Sequence, residues 1–179
     1  MWKRLTNLNR RSMVAKPVNY SITSSNPPRW EKEMGALNAL AFPDWEGRDT
    51  MPPARKGYVW VVARTQGRGA LVGYAFAYWL DAPAEEVDSI LEQVAVHPQW
   101  WGRGIGRQLV SEVAVTATSL GRQRLGAVPL VGPDEERRRR WIRSLGFHSP
   151  WDRGFSATPE EVRDAIKGFG DEGSQRVRS

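Results

Sequence analysis

Three glycines at alternate positions, Gly102, Gly104 and Gly106, stand where an apolar stripe of helical spacing begins, with Ile105, Leu109, Val113, Ala117 and Leu120 recurring at steps of four and three. Gly121 is placed to end this helix. Before the glycines, Ser89 to Val96 reads as a strand that His97-Pro98 stops. A strand, a glycine loop and a helix start bring free amides and the positive end of the helix dipole to one place, which suits an anion. Glycine lets backbone approach a phosphate without a Cβ in the way, and Arg103 and Arg107 add positive charge. The dinucleotide fingerprint fails, because Arg107 occupies the fifth position after Gly102, and no Gly-Lys-Ser/Thr of a P-loop follows.

The remaining pattern sets the fold class. Val18, Tyr20 and Ile22 alternate as in a strand, and Trp30, Met34, Leu37, Leu40 and Ala41 predict a helix over residues 29–42. Tyr58 to Arg64 and Ala70 to Leu80 are strands joined by the hairpin Gln66-Gly-Arg-Gly. Leu125 to Val131 reads as a strand in which Pro129 lacks a ladder donor, so it leaves a neighbour partway along. Asp134, Glu135 and Glu136 open a helix that ends at Gly146, and Thr158 caps a last helix over residues 159–169. The order implies an α/β protein of the α+β kind, a mixed sheet with helices on its faces, in a single domain over residues 16–169. Residues 1–15 form a basic flexible arm and residues 170–179 a disordered tail.

Composition removes several function classes. The chain of 179 residues has no cysteine, so disulfides, thiolate nucleophiles and Cys-based zinc sites are out. His148 has no partner at metal-ligand spacing, so no metal is expected. No apolar run reaches the roughly 18 residues of a spanning helix, and the N-terminus lacks the apolar centre of a secretory signal. The expectation is a cytoplasmic protein without a membrane partner. The net charge of +6 lies in the first 30 residues, where Lys3, Arg4, Arg10, Arg11, Lys16 and Arg29 meet no acid. Arg137 to Arg140 circle their helix beside Glu135 and Glu136, as a solvated face does.

Val96-x-Pro98, followed by Trp101-Gly-Arg-Gly-Ile-Gly106 and Leu109, resembles the acetyl-CoA pyrophosphate loop of the GCN5-related N-acetyltransferases (GNAT), usually Arg/Gln-x-x-Gly-x-Gly/Ala. Trp141-Ile-Arg-Ser-Leu-Gly-Phe147 is similar to that family's helix ending in Leu-Gly-Phe. The resemblance covers residues 16–156 and leaves the arm and last helix outside. It implies the acyl-CoA N-acyltransferase fold, acetyl-CoA as co-substrate, and acetyl transfer to a primary amine by direct attack. It also implies phosphate contacts from Trp101, Gly102, Arg103, Gly104, Ile105 and Gly106, beside Arg107, and a thioester contact from the Ala95–Val96 strand end. Trp101 stands where the family commonly has Arg or Gln.

Direct attack needs a base, an oxyanion donor and a proton for the thiolate. Strand alternation sets Glu92 on one face with Ile90, Val94 and Val96, apolar surroundings that would strengthen a general base. Family members often use an acid on this strand. Glu86 and Asp88 are reserves. The Val96 amide is the expected oxyanion donor if the strand bulges just before His97, whose own ring is expected to cap the strand. The family's usual acid, a tyrosine three residues before Leu-Gly-Phe, is replaced by Ile142, while Tyr74 and Tyr78 are expected in the core or the acceptor pocket. Trp100 and Trp101 are expected to shape an acceptor mouth or a partner surface. The acceptor is a small molecule, a peptide or a protein amine. The alternative is a GNAT-like binding module without turnover, its basic arm contacting RNA or an acidic partner.

Overall fold

A computed structural model describes residues 18–23, 28–43, 57–66, 69–81, 87–129, 132, 134–151 and 154–175. The elements run β1 (Val18–Thr23), α1 (Pro28–Ala41), β2 (Tyr58–Thr65), β3 (Leu71–Trp79), β4 (Ser89–Val96), α2 (Ile105–Ser119), β5 (Leu125–Ala127), α3 (Glu135–Arg143), β6 (Ser149–Trp151), β7 (Gly154–Ala157) and α4 (Pro159–Gln175). They build one seven-stranded sheet in the order β1-β2-β3-β4-β5-β7-β6. β1 to β4 form an antiparallel meander, β4 and β5 are parallel, and β7 pairs antiparallel with both β5 and β6. The parallel pair is bridged by α2, as a parallel crossover requires.

The expected mixed sheet is present. The β6–β7 hairpin was not legible in the sequence, because its strands are three and four residues long and one carries Pro150. β5 stops at Ala127, short of the expected 125–131, and Pro129 beyond it has no amide hydrogen for a ladder. The last helix runs to Gln175, past the expected end and into residues 170–179. None of the described helices is long and apolar enough to cross a membrane.

Each sheet face has its own core. Met34 and Leu37 of α1 pack on Trp60, Val62, Tyr74, Phe76 and Ala95, with Trp60 stacked on Phe76 at 4.3 Å between centroids. On the other face, Ile105, Leu109, Val110 and Val113 of α2 meet Val61, Ala75, Ala77 and Leu91, joined by Ile142, Leu145 and Phe147 from the α3 end and Val162 of α4. Gly146 adopts φ +91°, and a Cβ there would stand 2.8 Å from the Glu161 carbonyl oxygen. The Leu-Gly-Phe turn is thus seated directly on α4. Its N-terminus carries the reciprocal cap expected of Thr158: Glu161 N donates to Thr158 Oγ1 (3.2 Å), and Thr158 N donates to Glu161 Oε2 (2.7 Å). The Thr158 amide, foremost, holds the Glu161 carboxyl below its ordinary value.

One irregularity reorders β4. Phe76 pairs with Gln93 but Ala77 with Leu91, so Glu92 is an extra residue in a bulge. The bulge shifts the alternation. Leu91 and Val94 both pack toward α2, whereas Ile90 lies opposite Tyr78, so Ile90 and Val94 do not share a face. The expected apolar surroundings of Glu92 are therefore absent, and Glu92 is exposed.

Candidate active site

The site begins where two strands part. β4 and β5 pair only over Ser89–Leu125, Ile90–Gly126 and Leu91–Ala127. Beyond Leu91, β4 pairs with β3 alone among the described residues. The His97 amide donates to Val72 O (2.9 Å), which makes His97 and Val72 a hydrogen-bonded pair. By antiparallel alternation, Ala95 turns its peptide groups to β3 while Val94 and Val96 turn theirs into the gap. This corrects two expectations. Of the Ala95–Val96 end only Val96 presents backbone to the gap, since Ala95 shares the hydrogen-bonded register with Tyr74 of β3; its side chain is buried in the α1 core. The strand does not bulge before His97, where pairing is regular, but at Glu92.

The glycine loop closes one end of the gap. His97 Nδ1 accepts from the Gln99 amide (3.2 Å), capping a 3₁₀ turn at Pro98–Trp100 rather than the strand. The Trp101 indole donates to Val96 O (2.7 Å), anchoring the loop to the strand end. Gly102 and Gly104 have φ of +74° and +75°, conformations that L side chains rarely adopt, and a Cβ on either would meet nothing within 4 Å. Gly106 differs: its φ is not left-handed, and a Cβ there would lie 3.3 Å from Trp141 Cζ2, a close approach of loop and ring. The first helical bond onto this turn is Gln108 N to Gly104 O (3.0 Å), and the amides of residues 102 to 106 find no backbone acceptor among the described residues. Arg103 lies over the Trp100 ring, 4.7 Å from its centroid.

These parts wall a cavity of about 530 Å³. Val94 and Val96 form its floor, Gly102, Gly104, Ile105 and Gly106 one end, and Asp134, Arg137, Arg138 and Trp141 a side. Leu40, Ala41, Phe42 and Pro43, at the α1 end, supply an apolar rim with Trp101. Arg107 adds a third arginine to the lining. Arg137 pairs with Asp134 (2.8 Å) in an exposed contact. Arg139 pairs instead with Glu135 (2.8 Å) and faces Phe155, as does Arg143. The four-arginine run is thus divided: two members line the cavity and one braces β7. Sequence reasoning missed that division and the α1 rim, because helical phase shows which residues share a face but not which face meets a cleft.

The other candidates are placed as follows. Asp88 accepts from Ser89 Oγ (3.0 Å) and the Gln123 amide (2.6 Å) at the far end of β4, a structural tie. Glu86 and the basic arm lie outside the described residues. Ile142 is buried in the core, and its neighbour Trp141 lines the cavity instead. Tyr74 is fully buried; burial pushes its hydroxyl well above the ordinary value, so it remains a donor, to Asn38 Oδ1 (3.1 Å). Tyr78 is half-buried beside Phe76. Among the described residues no group of three or more His, Asp or Glu could hold a metal ion.

Comparison with known proteins agrees with this geometry. Residues 55–149 match the family model of the acetyltransferase (GNAT) domain. No curated protein matches in sequence. Among solved structures, a GNAT-family protein of Desulfovibrio desulfuricans is 19% identical, with a TM-score of 0.65 over 80% of this chain and 99% of its own. The aminoglycoside N-acetyltransferase AAC(6')-Iy in complex with CoA is 17% identical, with a TM-score of 0.58 over 78% and 95%. A ribosomal-protein-alanine N-acetyltransferase of Brucella melitensis is 19% identical, with a TM-score of 0.60 over 76% and 95%. These likenesses show the fold, while the family match spans more than half of the chain and includes the parted strands, the glycine loop and α3. The chain belongs to the GNAT family of acetyltransferases.

Proposed function

We propose that this protein transfers an acetyl group from acetyl-CoA to a primary amine by direct attack, without a covalent enzyme intermediate. The observation that carries the reading is the run of amides at residues 102 to 106, without backbone acceptors among the described residues, beside an unpaired stretch of β4. The residues fit the co-substrate. Open space over Gly102 and Gly104 leaves those amides accessible to a diphosphate, and Arg107, Arg137 and Arg138 offset its charge. The Val94 and Val96 edges offer strand-type partners to an amide-bearing arm.

Bound there, acetyl-CoA supplies the activated acyl carbon. The amides of Val94 and Val96, both turned into the gap, are the donors for the carbonyl oxygen as negative charge develops on it. Glu92, exposed on the bulge two residues before Val94, takes the amine's proton through water. With Ile142 in the core, the departing thiolate takes its proton from solvent or from the ammonium product. The AAC(6')-Iy and Brucella enzymes are named for an aminoglycoside and a ribosomal-protein alanine, so both a small amine and a peptide N-terminus belong in the acceptor panel. The reading places the protein in the cytoplasm, with residues 1–15 as an arm outside the transferase domain.

A thiol-release assay with acetyl-CoA across aminoglycosides, small amines and peptides tests it. Acceptor-dependent thiol release is expected. Absence of acetyl-CoA binding by calorimetry overturns the reading. Binding without release for any acceptor supports instead a binding module that has lost turnover, the reading favoured by the burial of Ile142.

A further inference from the structure

Among the described residues Asn38 is one of three fully buried polar side chains, with Ser89 and Ser156. Ser89 bonds to Asp88 and to Arg124 O, and Ser156 to Arg124, ties within the ends of strands. Asn38 is different, for it projects from α1 into an apolar cluster of Met34, Leu37, Trp60 and Phe76. A buried amide there costs free energy unless bonded, and an apolar residue of similar shape would serve packing alone. Its Oδ1 accepts from two strands at once, from Tyr74 of β3 (3.1 Å) and from Gln93 Nε2 of β4 (2.6 Å).

The two strands are joined at the point where the sheet is weakest. Leu91 is the last β4 residue with a partner on both edges; Glu92 bulges, and Val94 and Val96 face the gap. Gln93 lies between the bulge and the free edge, so its side chain is a second fastening, besides the β3 ladder, for backbone that would otherwise shift with the bulge. The same helix ends two turns or less beyond Asn38 in Leu40 to Pro43, the apolar rim of the cavity.

We propose that Asn38, through Gln93, is a positioning residue: it pins the bulged stretch of β4 so that Glu92 and the Val94 and Val96 amides hold their places around the thioester. The catalytic part of this inference rests on the acetyltransferase reading above; the mechanical part does not. Satisfied polar ties of this kind fix one arrangement among several of similar packing energy.

Gln93→Met keeps the length of the half-buried side chain and removes its donor. Tyr74→Phe keeps the buried ring, removes the other donor to Asn38 and leaves Gln93 Nε2 on Asn38 Oδ1, and is the control. Hydrogen exchange on the full chain without ligand is read for the peptide spanning 90–97 against the β2 and β3 peptides. Gln93→Met is expected to exchange about tenfold faster at 90–97 only, with Tyr74→Phe close to wild type there. In turnover, Gln93→Met is expected to lower kcat about tenfold and move its pH profile, with KM for acetyl-CoA within about twofold. Unchanged exchange at 90–97 in Gln93→Met overturns the proposal, as does faster exchange with wild-type kcat and pH profile. If Tyr74→Phe fails to fold, Gln93→Met decides alone. A wild-type protein that transfers no acetyl group counts against the activity reading, and the exchange result then decides the pinning.

Discussion

The indole of Trp141 lies against Gly106 so closely that a Cβ on the glycine would stand 3.3 Å from Cζ2. The contact fixes α3 against the first turn of α2 and sets the width of the cavity between them. Gly106→Ala, which asks the ring to give by tenths of an ångström, is expected to keep the fold. Gly106→Val is expected to cost about 1–3 kcal/mol by overpacking and to weaken acetyl-CoA binding at least tenfold. Thermal melts and calorimetry on the pair check it; equal binding in both would mean that the ring moves freely.

Gly104 offers the opposite situation, with left-handed backbone but open space around the missing Cβ. Gly104→Ala is expected to lose about 1–2 kcal/mol of stability for its conformation and bind acetyl-CoA only modestly less well. Gly104→Glu adds bulk and negative charge beside the loop amides, and calorimetry is expected to find binding reduced at least a hundredfold. Unchanged affinity would reject the loop as the diphosphate site.

For Glu92, substitution by Gln keeps the shape and removes the base. Turnover is expected to fall tenfold or more, with acetyl-CoA affinity within about twofold, since the residue is exposed and does not line the cavity. A variant with the wild-type pH–rate profile removes Glu92 from the role.

The arginine run gives an internal control. Arg138→Ala takes a charge from the cavity wall and is expected to raise KM for acetyl-CoA about tenfold, more strongly at low salt. Arg139→Ala removes an ion pair and a contact with Phe155, and is expected to cost about 0.5–1 kcal/mol of stability with KM unchanged. Equal effects on KM would show that bulk charge, and not placement, draws the ligand.

How far the sequence reaches is clear from these residues. The helix of Ile105, Leu109 and Val113 and the strand before it were legible, because periodicity reports which side chains face a core. The turn of the glycine loop was legible too, since φ above zero at Gly102 and Gly104 is what glycine is used for. Glu92 lies in the expected strand but not in the expected apolar surroundings, because a bulge inserts one residue without a sequence signature and reverses the faces on either side of it. Asn38 was invisible for a related reason: a polar residue inside a helical apolar pattern reads as solvent-facing until a second strand supplies its donor.

The cap on α4 gives a pH signature separable from catalysis. Glu161's carboxyl is held below its ordinary value chiefly by the Thr158 amide, so its contribution is complete above the unfolded-state value and is lost as pH falls through the lower folded-state one. Glu161→Ala is expected to lower Tm at neutral pH, with the difference from wild type shrinking as pH falls below the ordinary carboxyl value. A difference that stays constant across that range would assign the effect to helix propensity.

The parting of β4 from β5 divides the sheet into two leaves, β1 to β4 and β5 with β7 and β6, joined along the sheet by the pairs at Ser89, Ile90 and Leu91. Within the sheet, that short seam is the one backbone pairing among the described residues that connects the leaves. Its centre is Gly126, where a Cβ would stand 2.9 Å from Val87 Cγ1 and 3.2 Å from both Ile90 Cδ1 and Trp151 Cζ2. The seam that joins the two leaves is therefore among the most crowded points of the described residues, and one leaf cannot turn about it without disturbing close-packed side chains.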